Sequence, residues 1–174
     1  MADILGPLIP ERLRSVRLVL RRPEPRDLKP YVSFYASKRS AMALGPMDRP
    51  EAFESLCVEM ALWDIKGFGN YTLLRHEVPI GLTGVWHPEG WDEAEIGWSL
   101  LEGHEGRGYA TEAAKAVHDL LEDLGWPPPV SYIDPANHRS KTVARRLGAR
   151  FERHHPRWPD PEIWRHRSRV PPDP

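Results

Sequence analysis

Three groups of residues in this chain have the types and spacing to do chemistry. The first is the turn "EGRGYAT" (105 to 111), where Gly106 and Gly108 sit one residue apart just ahead of a strongly helical run. A helix N-terminus presents N–H groups with no intrahelical partner and about half a positive charge. Glycines ahead of it let a phosphate approach that backbone, and Arg107 adds a charge. The second is "NHRS" (137 to 140), which sets Asn137 and Ser140 three residues apart where a shorter helix begins. Asn is also a good helix cap, a role it can fill simultaneously. The third is a pair of carboxylates, Glu93 and Glu95, on one face of an expected strand by period-two alternation. Solvent-facing carboxylates on a strand look the same in sequence.

Several site chemistries are excluded. No Gly-Lys-Ser/Thr follows the glycines, so the turn is not a Walker A loop, and a third glycine for a dinucleotide fingerprint is missing. The chain has eight histidines but no His-Glu-x-x-His and a single cysteine, Cys57, so no metal site is expected.

The elements that must position these residues are readable from periodicity. "LRSVRLVLRR" (13 to 22) alternates like a half-exposed strand. Asp27 is a plausible helix cap for 27 to 37. Phe53, Leu56, Cys57, Met60 and Trp63 recur at helical spacing between Pro50 and Gly67. Residues 70 to 76 and 80 to 87 form an expected hairpin, followed by a strand at 94 to 101 in which Gly97 suggests a bulge or a close approach. After the glycine turn, Ala113, Ala114, Val117, Leu120, Leu121 and Leu124 make one apolar stripe that Gly125 ends. A strand at 130 to 134, a helix at 137 to 148 and two closing strands complete the order. The strand–helix–strand unit from 94 to 134 implies one parallel pair with a right-handed crossover. The class is therefore α+β, a mixed, mostly antiparallel sheet of seven strands with flanking helices. One domain over 1–170 and a disordered tail at 171–174 are expected.

Composition narrows the partners. A formal net charge of -1 offers no basic field for nucleic acid. No apolar run approaches the ~18 residues of a membrane span, and the N-terminus lacks the charged-then-apolar order of a signal peptide. With one cysteine, a reducing cytoplasmic setting is expected, for a monomer or homodimer.

"EIGWSLLEGHEGRGYATEA" followed by "SYIDPANHRSKTVARRLGA" resembles the acetyl-CoA-binding core of the GNAT superfamily of N-acetyltransferases. It is closest in style to the subgroup that includes the ribosomal-protein N-terminal acetyltransferases (RimJ/RimL-like). "ERLRSVRLVLRRPEPRDLKPY" and "GFGNYTLL" extend the likeness over nearly the whole chain. The resemblance implies acetyl-CoA as co-substrate, no metal, and an amine acceptor, either a small molecule or a peptide N-terminus. It implies that Gly106, Arg107, Gly108, Tyr109, Ala110 and Thr111 hold the diphosphate. It also implies a splay between the fourth and fifth strands (94 to 101, 130 to 134), where Ser99, Leu100 and Leu101 meet the pantetheine arm. Asn137 is then expected near the pantetheine or diphosphate, and Ser140 near the thioester sulfur. Glu95, ahead of Ile96, is the candidate base. Two positions depart from the family pattern. Glu105 stands where it has Gln or Arg, and Ala144 where many members have a tyrosine. They leave open a second reading, a non-catalytic acyl-CoA sensor on the same fold.

Overall fold

The segment expected as one strand over 13 to 22 is instead a hairpin. The chain is described by a computed structural model over residues 9–43, 45–156 and 161–168, so the tail at 171–174 lies outside the described residues. In it β1 (Arg12–Arg14) pairs antiparallel with β2 (Val19–Arg21). The break falls at Ser15, whose amide donates to Leu18 O at 3.0 Å while its hydroxyl accepts from Leu18 N at 3.2 Å. A tight turn leaves the alternation of side chains nearly intact, so the pattern reads through it. The sheet therefore has eight strands rather than seven.

The remaining strands are β3 (Asn70–Arg75), β4 (Val78–Trp86), β5 (Glu95–Leu100), β6 (Val130–Ile133), β7 (Arg150–His154) and β8 (Glu162–Arg165). Among the described residues they lie in the order β1-β2-β3-β4-β5-β6-β8-β7, and of these pairs only β5 and β6 run parallel. The β5–β6 crossover is α3 (Tyr109–Asp123), which packs on one face through Ala113, Ala114, Val117 and Leu121 against Ile96 and Val85. The stripe read from the sequence is the buried one. α4 (His138–Arg146) covers β6 and β8 through Ala144, which meets Ile133 and Trp164. On the opposite face lie α1 (Leu28–Tyr35) and α2 (Arg49–Lys66), with Tyr31, Phe34, Tyr35, Ala52 and Leu56 as their core. Among the described residues no helix is long and apolar enough to cross a membrane.

α2 begins with a capping box: Asp48 accepts from Glu51 N at 2.9 Å, and Glu51 accepts from Asp48 N at 2.7 Å. Gly67, at φ 73°, ends it. Its buried face is rotated from the expected stripe. Ala52, Leu56, Glu59, Leu62 and Trp63 are buried, whereas Phe53 and Cys57 are exposed. A polar residue inside defeats the apolar count: Glu59 accepts from Asn70 Nδ2 at 2.9 Å, and burial pushes its carboxyl up to about 7.

Asp27 holds the N-cap position of α1 but makes no side-chain cap bond there. Its carboxylate instead receives both Arg21 amino groups at 2.8 Å, Thr72 Oγ1 at 2.8 Å and Glu24 N at 2.9 Å. Burial alone would raise this carboxyl, but those bonds outweigh it and hold it below its usual value. The pair pins the β2–α1 connection to β3. Arg21→Met, which leaves Asp27 buried and unpaired, is expected to cost about 3–5 kcal/mol in urea denaturation. The double variant with Asp27→Leu should recover most of that, and a single-variant loss under about 1 kcal/mol would contradict this assignment.

Candidate active site

The site is built where β5 and β6 part. Their ladder has one register pair, Glu95 with Val130, and then the strands diverge. Two polar bridges close the base of the gap: Ser131 Oγ donates to Ile96 O at 2.6 Å, and Tyr132 N donates to Glu95 Oε1 at 3.4 Å. β4 and β5 stay in unbroken antiparallel register. Backbone groups along a strand alternate in direction. Since Ile96 O points to β6 and Leu101 N donates to Ile80 O at 2.9 Å on β4, the backbone groups of Trp98 and Leu100 face the gap.

A cleft of about 1110 Å³ opens at this gap. One wall is β5, through Trp98, Ser99 and Leu100. A second is Gly106, Gly108 and the first turn of α3, Tyr109 to Thr111. A third is the start of α4, with Asn137 and Ser140, and the last comes from Phe34 and the 3-10 turn Lys38–Met42. Most of the expected cofactor residues are thus gathered on one cavity. Arg107 and Leu101 are not on it. The Arg107 side chain is exposed, and Leu101 instead lines a small separate cavity with Phe34 and Glu59. Trp98, Phe34 and Arg39 line the cleft and carried no sequence signal as cofactor residues.

The glycines at the turn are required by the backbone. Gly106 and Gly108 have φ of 72° and 80°, a region L-residues avoid. Gly108 caps α3 without any side-chain cap bond, and Glu112 N, bonded to Gly108 O at 3.0 Å, starts the helical ladder. The amides before it therefore have no acceptor within the helix. The Tyr109 ring is buried, with the Arg17 guanidinium 4.6 Å from its centroid, so this residue offers the cleft its backbone. The β1–β2 turn braces the helix start. Ser15 Oγ and Arg17 N each donate to Glu112 at 2.7 Å, Arg17 Nε donates at 2.6 Å, and Arg17 Nη2 reaches Arg107 O at 3.1 Å. This brace joins residues 95 positions apart, which no local pattern reports.

Asn137 is the N-cap of α4, its Oδ1 accepting from Ser140 N at 3.0 Å. The cap turns both residues toward the cleft they line. Ala144 is fully buried, so the family's tyrosine position carries packing here.

Glu95 is not on the cleft wall. It shares a strand face with Gly97 and Ser99, on the α1–α2 side, about 13 Å along the strand from Ser99. Burial pushes its carboxyl up to about 7, with bonds from Tyr132 N and Trp91 offsetting part of the rise. The bulge or close approach expected at Gly97 is absent: the register is continuous, and a Cβ there would meet nothing within 4 Å. Gly97 leaves open space between Glu95 and Ser99. Glu93, the second-choice carboxylate, is bound by both Arg165 amino groups at 2.5 and 3.1 Å. Among the described residues, His118, Asp119 and Glu122 have metal-ligand spacing, but they lie on α3 about 2.5 turns from its start, and Lys115 bonds Asp119.

A helix start with bare amides beside parted strands defines an acyl-transfer fold of a recognisable kind. The chain belongs to the GNAT acetyltransferases: the family's acetyltransferase (GNAT) domain matches residues 17–150. A solved acetyltransferase from Agrobacterium tumefaciens is 39% identical, covering 91% of this chain and 95% of its own, with a TM-score of 0.84. RimL, a ribosomal α-N-protein acetyltransferase solved with coenzyme A, shares the fold at 18% identity, 90% and 97% coverage and a TM-score of 0.75. A microcin self-immunity acetyltransferase, MccE, solved with acetyl-CoA and AMP, shares it at 15% identity, 91% and 97% coverage and a TM-score of 0.72.

The raised Glu95 carboxyl has a stability consequence. A carboxyl whose folded pKa exceeds its unfolded value binds protons more tightly in the native state, so stability falls as pH rises from about 4.5 toward about 7. Glu95→Gln removes that penalty. Relative to wild type it should be stabilised at pH 8, by on the order of 1–3 kcal/mol, with the difference shrinking toward pH 5. Paired denaturation curves at the two pH values check this; a pH-independent difference would place Glu95 in solvent.

Proposed function

We propose that this protein is an acetyl-CoA-dependent N-acetyltransferase of the RimJ/RimL-like kind, moving the acetyl group directly to a primary amine. The observation that carries the reading is the shared cavity: the unbonded amides at the start of α3, the gap-facing backbone of β5 and the Ser140 side chain line one cleft. RimL and MccE, solved with coenzyme A and with acetyl-CoA, share this fold and support the same co-substrate. The acceptor is a small-molecule amine or a peptide N-terminus.

In this reading the diphosphate sits on the amides from Gly108 to Thr111, where the helix dipole favours it. The pantetheine arm pairs with Trp98 and Leu100 as an extra, short strand. The amine nitrogen attacks the thioester carbonyl carbon, and a gap-facing N–H of β5 stabilises the oxyanion. The C–S bond then breaks with its electron pair on sulfur, Ser140 donates a proton to the leaving thiolate, and solvent water reprotonates the Ser140 oxygen. Glu95 takes the proton lost by the amine. An α-amine with pKa ≈ 7.7–8.0 is neutral roughly one time in ten at pH 7, and a lysine-type amine about one time in 10³. A base near 7 suits the first well and matters more for the second. At about 13 Å from Ser99, Glu95 acts on an amine that lies over Gly97, or through one water.

A thiol-release assay over small amines and short peptides tests the reading. Glu95→Gln is expected to cut turnover roughly 10²-fold and to abolish the rate rise near pH 7. Gly97→Val should raise the acceptor KM and leave acetyl-CoA binding unchanged, because its side chain fills the space over the strand. Acetyl-CoA binding with no thiol release across the panel would favour the sensor instead. An unchanged pH profile in Glu95→Gln would remove it as the base.

A further inference from the structure

A carboxylate in a phosphate-binding turn works against its ligand, and Glu105 opens this one. The structure pairs it with Arg39, which comes from the opposite wall of the same cleft. Arg39 Nη2 also donates to Leu100 O at 3.1 Å. Leu100 is one of the two residues whose backbone faces the β5–β6 gap. One guanidinium thus occupies a carbonyl the pantetheine arm would use and neutralises the acid beside the diphosphate position. Both side chains of the pair are 32% exposed, so neither is locked in the core. The turn that carries Arg39 is fixed: Ser40 is fully buried and shares its one hydroxyl proton between Tyr35 O at 2.9 Å and Ser37 O at 2.8 Å. Movement here belongs to the long side chain and not to its backbone.

We propose that Arg39 is the cationic side chain of the diphosphate site, parked on Glu105 and the Leu100 carbonyl until the co-substrate arrives. It rests on the acetyl-CoA reading above. As the arm takes the Leu100 carbonyl, the guanidinium turns from a single carboxylate to a diphosphate, which offers more charge and accepts the same paired N–H bonds. Glu105 then faces solvent and competes for Arg39 throughout.

This assignment makes the two partners act with opposite signs. In calorimetric titrations of the full chain with acetyl-CoA, Arg39→Gln should weaken binding roughly 10-fold or more, the scale of a hydrogen bond to a charged group. Glu105→Gln should tighten it. With S-acetylpantetheine, which lacks the diphosphate, the Arg39→Gln loss should vanish or reverse, since the Leu100 carbonyl is released. Were the ion pair only a brace across the cleft, both variants would weaken acetyl-CoA binding together, and that outcome overturns the proposal. Unchanged affinity in both does the same. No binding of acetyl-CoA by the wild-type protein would instead sink the co-substrate reading, and this inference with it. Melting curves confirm that each variant is folded.

Discussion

Everything about this site follows from two adjacent strands that pair once and then part. A buried backbone N–H or C=O with no partner costs about as much as a lost hydrogen bond. The chain tolerates the opening after Glu95 and Val130 because Ser131 and Glu95 bridge its base, and because the groups beyond face a cleft and not a dry core. The same accounting applies at α3, whose first amides have no acceptor in the helix and no capping side chain. Two sets of backbone groups with no partner in the helix or sheet ladder meet on one cavity. A ligand that carries both a diphosphate and an amide-containing arm satisfies both at once.

The rest of the fold holds that arrangement rigid. The Ser15–Arg17 turn grips Glu112 and so fixes the first turn of α3 from the far edge of the sheet. The Arg21–Asp27–Thr72 cluster ties the same hairpin to the start of α1 and to β3. These polar contacts are placed where backbone geometry must not drift, while the apolar clusters on the two faces of the sheet supply the burial. The electrostatics are divided in a comparable way. Lys38, Arg39, Arg139 and Arg146 line the cleft, while Glu95, whose carboxyl burial pushes up to about 7, lies outside it along β5.

Much of this was legible in the sequence because it depends on local chemistry. Gly106 and Gly108 announce a left-handed turn before a helix, and the structure has them at positive φ for that reason. Asn137 at the head of a helical pattern is the cap it resembles. The α3 stripe reads directly as a core face. What was hidden depends on distant partners or on polar residues in apolar places. The β1–β2 turn was concealed because alternation survives it, and the α2 face was misjudged because Glu59 is inside while Phe53 is outside. Arg39 gave no local signal, since its meaning comes from Glu105 and Leu100, both more than 60 residues away. Gly97 pointed to something real, but the reason is open space and not a bulge.

The most direct measurement is the crystal structure of the acetyl-CoA complex. The account requires the diphosphate oxygens within about 3 Å of the amide nitrogens between Gly108 and Thr111, with the arm hydrogen-bonded to Trp98 and Leu100. Density for the nucleotide thiol on another surface, or an arm running clear of the β5–β6 gap, would contradict it.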